Sequence, residues 1–188
     1  GAGACAFHND LQVLGGAEQR VVSSDVAKSI SRAIPTAPTR ILDAPDIIDD
    51  YYLNLIAWGA NNVLAVALNT AVYLWNASTN EVTELMHVEQ GDCVTSVAWT
   101  SSGGQLAVGT DSTTVQLWDA AAATRVRSLG GHTARVGSLA WNPSQSNMLS
   151  SGSRDSTIVQ HDARAAGGAA ARVATCVGHQ QEVCGLRW

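Results

Sequence analysis

Residues 94–141 read VTSVAWTSSGGQLAVGTDSTTVQLWDAAAATRVRSLGGHTARVGSLAW. Four short runs, VTSVAW, QLAVGT, TTVQLWD and TRVRSL, are rich in Val, Leu, Thr and Trp, and each is closed by Gly, Ser, Asp or Ala. Apolar and polar residues alternate over five or six positions, which is the period of a half-buried strand. A fifth run, RVGSLAW, starts the pattern again. Upstream, LNLIAW, VLAVAL, AVYLWN and EVTELM follow the same order; downstream come MLSSGS, STIVQHD and ARVATC.

Equivalent residues give the period. Trp75, Trp118 and His161 close the third run of successive units, and both gaps are 43. Trp58, Trp99 and Trp141 close the first run, 41 and 42 apart. Four strands per unit, a period of about 40–45 residues and a Trp-Asp pair sign the blades of a WD-repeat propeller. Trp118-Asp119 is that pair intact, while Trp75-Asn76 and His161-Asp162 each depart from it by one residue. The fold class is therefore all-β: a partial propeller of about three blades and the first strand of a fourth.

Blade one takes its strands from residues 53–58, 63–68, 71–75 and 81–86, and blade two from 94–99, 105–109, 114–118 and 124–129. Blade three takes 136–141, 148–151, 157–160 and 172–176, and 183–188 opens a fourth. The ARAAGGAAA insert before the last strand of blade three reads as a flexible surface loop. Residues 1–40, dominated by Gly, Ala and Ser with prolines at 35 and 38, read as an arm or linker, and residues 41–188 as the propeller part. Blades bury their faces only against neighbouring blades, and a ring closes with typically 4–8 of them. Three blades and one strand leave two apolar faces open, so the sequence reads as part of a longer chain.

Composition narrows the partners. A net charge of −5 argues against nucleic acid and anionic membranes, which need a basic face, and suits basic peptides better. No run approaches the roughly 18 apolar residues of a membrane span. The four cysteines, at 5, 93, 176 and 184, are expected reduced, and Cys93, Cys176 and Cys184 are expected as small buried hydrophobes beside strands.

Three polar groupings invite chemistry. His132, Ser151 and Asp155 have the residue types of a hydrolytic triad, but nothing supplies the oxyanion hole and cleft that a triad needs. The structural reading is preferred: a buried hydrogen-bonded network tying each blade's loop, second strand and closing residue, with Asp111 and Trp118 as its blade-two members. Asn69 takes the turn-Asp place in blade one. Cys176, His179 and Cys184 offer soft ligands, but no fourth ligand is evident for structural zinc, and neither a metal nor another cofactor is expected. Asp43, Asp46, Asp49 and Asp50 gather four carboxylates within eight residues. They read either as a solvated loop or as a receptor for Lys and Arg side chains.

The run RAIPTAPTRILDAPDIIDDYYLNLIAW, followed by LAVGT, GHTARVGSLAW, SSGSRDS and GHQQEVCGLRW, closely resembles the Fizzy and Fizzy-related family, WD-repeat co-activators of the anaphase-promoting complex. RILDAP, DYYLNL and His161-Asp162 look more like the mitotic Fizzy branch. The resemblance implies a seven-blade propeller without enzymatic activity, acting in nucleus and cytoplasm. It would present substrates such as cyclins and securin-like proteins to the ubiquitin ligase, with ligase subunits and spindle-checkpoint proteins as partners. By position in the motif, Asp43 matches the family's acidic residue for the destruction-box Arg, and Asp50 and Tyr51 match residues lining the KEN-box site. Arg32 to Pro35 resembles the family's ligase-docking C-box but lacks its Asp and aromatic, and reads as the linker before the propeller. The blades alone would also suit a scaffold in another assembly.

Overall fold

Three antiparallel four-stranded sheets arise from the repeated runs in a computed structural model that describes residues 34–188. Blade one is β1 (Ile56–Trp58), β2 (Val63–Leu68), β3 (Ala71–Asn76) and β4 (Val82–His87). Blade two is β5 (Val94–Trp99), β6 (Gln105–Thr110), β7 (Val115–Asp119) and β8 (Thr124–Leu129). Blade three is β9 (Ser138–Trp141), β10 (Met148–Gly152), β11 (Thr157–Asp162) and β12 (Arg172–Val177). Strands pair in chain order within each blade, and Leu42–Trp188 forms one compact unit. Of the arm expected over residues 1–40, residues 1–33, with Cys5, Arg32 and Ala33, lie outside the described residues.

Burial follows rank within the blade. β6 is buried at every position after Gln105, whereas β12 is exposed throughout. β1 and β2 pack on β5, and β5 and β6 pack on β9. The apolar cores thus lie between blades: Leu55, Val72, Val97 and Leu106 fill the first, and Leu117, Leu129, Val136 and Leu149 the second.

Three polar devices recur at the sequence period. The Trp closing each first strand donates its indole N–H to the preceding blade: Trp99 to Ala57 O (3.1 Å), Trp141 to Ala98 O (3.1 Å) and Trp188 to Ala140 O (3.2 Å). Hydroxyls in the same strands reach the following blade, Ser96 to Val136 O (2.6 Å) and Ser138 to Val183 O (2.9 Å). The residue after each third-strand Trp or His caps the next turn: Asn76 Oδ1 accepts from the Ser78 and Thr79 amides, Asp119 Oδ1 from Ala121 and Ala122, and Asp162 Oδ1 from Arg164. Capping needs only an acceptor oxygen, so Asn76 serves as well as Asp. Removing one indole donor as Trp141→Phe should lower stability by about 1 kcal/mol in urea denaturation. Trp58→Phe, at a half-exposed indole stacked edge-on against Trp75, should cost less.

Four expectations are corrected. The 183–188 segment is not a strand: no neighbouring strand pairs with it, and Val183 N–H, Val183 O and the Trp188 indole hold it to blade three. The inner runs begin later than alternation suggested, at Ile56 and Ser138, because the residues before them spend their backbone groups on neighbouring blades. The Gly/Ala insert is no free loop: Gly168 bridges Leu129 in parallel, and Ala171 is fully buried at the end of a short 3-10 turn. Cys176 is exposed on the outermost strand, while Cys93 and Cys184 are half-buried; all three are free.

Candidate peptide-binding site

The residues leading into blade one, DIIDDYYLNL, cross toward blade three instead of standing free. Asn54 Nδ2 donates to Gly137 O (2.7 Å) and Cys184 O (2.9 Å), and its backbone pairs with the 95–97 stretch of β5. Gly137 lets this happen, since a Cβ there would lie 2.8 Å from Tyr52 O. Asp50 is thereby brought to Arg135, whose Nη1 donates to Asp50 Oδ2 at 2.8 Å. The other edge of the same guanidinium grips Glu182, with Nε to Oε1 at 2.8 Å and Nη2 to Oε2 at 2.9 Å. Fork-to-carboxylate pairing of this kind fixes geometry as well as charge.

The electrostatics follow from those bonds. The Tyr52 N–H donates to Asp50 Oδ1 at 2.9 Å and, with Arg135, holds the Asp50 carboxyl below its ordinary range. Glu182 first, then Asp50, raises the Arg135 guanidinium further above an already high value. Around them a polar cavity of about 550 Å³ is lined also by Tyr52, Arg154, Gln180 and Gln181. Two carboxylates, two guanidiniums and two amides suit a peptide that carries both charge signs, not an apolar ligand.

The other acidic residues separate from this cluster. Asp43 is exposed at the rim of an apolar groove of about 680 Å³ floored by Ile56, Leu64, Val66 and Trp75 of blade one. Asp46 adopts a left-handed φ of 59° and Asp49 is exposed. Tyr51 is 89% exposed and meets Tyr52 edge-on at 5.8 Å. Sequence reasoning missed Arg135, Glu182 and Asn54; the paired signs of Arg135 and Glu182 at the same point of successive blades were the available signal.

In blade three the expected network forms and extends. His132 Nδ1–H donates to Asp155 Oδ2 (3.0 Å), the Ser151 hydroxyl to His132 Nε2 (2.8 Å), and His161 Nε2–H to Ser151 Oγ (2.8 Å). Asp155 also accepts from the Thr133 and Thr157 amides and the Thr157 hydroxyl. That donor set fixes it as the charged end and so orders the protons along the chain. Burial opposes its ionisation, but these bonds prevail and bring Asp155 down to about 2. Ser151 is fully buried with an imidazole on either side, so its hydroxyl has no face open to a substrate.

Blade two does not share this network, which corrects the reading of Asp111 and Trp118. Strand register places Val108 where blade three has Ser151, so no hydroxyl waits inside and the Trp118 indole donates to Gln116 Oε1 at 3.1 Å. The carboxylate comes from the loop instead: Asp92 accepts from Ser112 N–H (2.9 Å) and its hydroxyl (2.7 Å), while Asp111 is exposed. The two turns are equal in length, and their register sets Asp111 at the place of Arg154 and Ser112 at the place of Asp155. In blade one Asn69 is tied through its carbonyl, which accepts from Val94 N–H. Among the described residues, no three His, Cys, Asp or Glu side chains converge as metal ligands, and Cys176, His179 and Cys184 do not.

Comparison with known proteins places this geometry. The WD40 domain of anaphase-promoting complex subunit 4 matches residues 56–144. Anaphase-promoting complex subunit cdc20 of Dictyostelium discoideum is 52% identical over 184 residues, covering 96% of this chain and 36% of that protein. Protein FIZZY-RELATED 3 of Arabidopsis thaliana is 48% identical over 157 residues, covering 84% of this chain and 31% of that protein. A crystal structure of the mitotic checkpoint complex superposes with a TM-score of 0.77 at 46% identity, over 82% of this chain and 47% of the matched one. The chain thus spans about a third of the length of the curated relatives it matches.

Proposed function

The chain belongs to the Fizzy and Fizzy-related family, and from that premise we propose that it is part of a substrate-recognition and activator subunit of the anaphase-promoting complex. The observation that carries this reading is the 52% identity to the Dictyostelium subunit over nearly the whole chain. That match covers more of the chain than the Fizzy-related ones and favours the mitotic branch. In this reading the propeller binds destruction-box and KEN-box segments of cell-cycle proteins and acts in nucleus and cytoplasm. Residues 41–188 are the propeller part, and residues 1–40 precede it in the sequence. Asp43, at the apolar groove beside blade one, receives the destruction-box Arg; Asp50 and Tyr51 belong to the KEN site. Spindle-checkpoint proteins are partners, as the likeness to the checkpoint complex supports. The role is that of a receptor and not a catalyst, and the enclosure of Ser151 supports this.

Reconstituted ubiquitination tests the proposal. Full-length protein added to the purified ligase should accelerate chain formation on a destruction-box substrate, and Ala substitution of the box Arg and Leu should abolish the gain. Equal rates with and without the protein would refute it.

A further inference from the structure

We propose that Arg135, clamped by Glu182, makes Asp50 selective for a lysine over an arginine side chain of a docked peptide. The inference rests on the degron-receptor reading of this face and concerns how its carboxylate discriminates. Asp50 Oδ2 already accepts from Arg135 Nη1 at 2.8 Å, and Oδ1 from Tyr52 N–H at 2.9 Å. A guanidinium binds a carboxylate best as a fork, taking one acceptor site on each oxygen along a shared edge. With each oxygen partly occupied, that fork meets competition. An ammonium is a compact point charge that needs a single remaining lone pair.

Arg135 does not yield easily. Its opposite edge is held by both oxygens of Glu182, whose side chain is only 8% exposed. Displacing it would strand a buried carboxylate, which is costly. An incoming arginine would also bring a second guanidinium beside Arg135, and Arg154 lines the same cavity. The smaller, more mobile lysine head can stand off from both. Arg135 is in this sense a specificity-determining and positioning residue that need not touch the rest of the ligand.

The test titrates the full-length protein with two fluorescent peptides, one bearing Lys-Glu-Asn and the other Arg-Glu-Asn in the same flanks. The unmodified protein should prefer the lysine peptide by on the order of tenfold, about one charge-assisted hydrogen bond. Arg135→Gln should bring the two affinities within about twofold of each other. Because that variant leaves Glu182 unpaired, the double variant Arg135→Gln, Glu182→Gln is measured beside it; two amides can bond each other, and thermal melts verify folding. No preference in the unmodified protein, an unchanged preference in the double variant, or equal weakening of both peptides would overturn the proposal. The underlying reading fails differently: Asp50→Asn would then bind both peptides as tightly as the unmodified protein.

Discussion

Gly109→Ala is expected to destabilise the protein by about 3 kcal/mol, at the upper end of ordinary overpacking. Gly109 lies in β6 where three things converge: the Ser96 side chain, the Val136 carbonyl and the start of blade three. A Cβ there would stand 2.7 Å from Val136 O and would collide with Ser96 Oγ. The same carbonyl accepts from Thr95 Oγ1 (2.7 Å) and Ser96 Oγ (2.6 Å), so a methyl group must displace backbone and break an inter-blade tie together. Gly152, its counterpart in β10, would set a Cβ against Ser138 Oγ and 2.6 Å from Val183 Cγ1, with side-chain atoms and no carbonyl in the way, and Gly152→Ala should cost less. Gly104→Ala, whose nearest neighbour would be 3.7 Å away, should stay within about 0.5 kcal/mol of the parent. Urea denaturation of the three variants should rank them in that order. A Gly109→Ala protein as stable as Gly104→Ala would mean that blades two and three are not packed as described.

Lowering the pH from 7 to 4 is expected to remove about 2–3 kcal/mol of stability through His161 alone. His161 is fully enclosed and its Nδ1 has no partner. Burial, reinforced by His132 and Arg172, pushes the imidazole down to about 4. The unfolded chain takes up its proton near pH 6.5 while the folded chain resists until about 4, so the unfolded state gains through that window and stability falls with pH. Below it Asp155 takes over. Its carboxyl, held at about 2, ionises more readily than in the unfolded chain, and its contribution disappears between roughly pH 4 and 2. His161→Trp, which restores the residue found at Trp118, should flatten the limb between pH 6.5 and 4 and leave the lower one. A variant with the parent's full acid sensitivity would place the titration elsewhere.

The blades were legible because their determinants are local and repeated. Trp58, Trp99 and Trp141 mark inner strands 41 and 42 residues apart, and their indoles make the same bond wherever a preceding blade supplies a carbonyl. The Gly/Ala insert was not legible: its parallel bridge at Gly168 uses only backbone groups, and alternation cannot report those. The blade-three network was legible down to His132, Ser151 and Asp155, since a hydroxyl, a ring and a carboxylate were all present at the right offsets. Extending it to Asp111 and Trp118 failed because the motif counts residues while the hydrogen bond follows strand register. That register puts Val108 in the serine's place. At the candidate site, Asp50 was visible as part of an acidic run but its partners were not. Arg135 and Glu182 lie 85 and 132 residues further along the chain, and only the curvature of successive blades brings them to it.

In the proposed function Asp43 and Asp50 serve different peptides, one at the blade-one groove and one at the Arg135 cluster. Fluorescent destruction-box and KEN-box peptides titrated against single variants of the full-length protein test this most directly. Asp43→Arg should weaken the destruction-box peptide by tenfold or more, on the order of one charge-assisted contact turned repulsive, and spare the KEN-box peptide. Asp50→Asn should do the reverse. Asp46→Asn and Asp49→Asn, at exposed carboxylates, should change either affinity by no more than about 0–1 kcal/mol. Equal losses for both peptides whichever Asp is replaced would indicate a diffuse acidic field and contradict the two-site assignment.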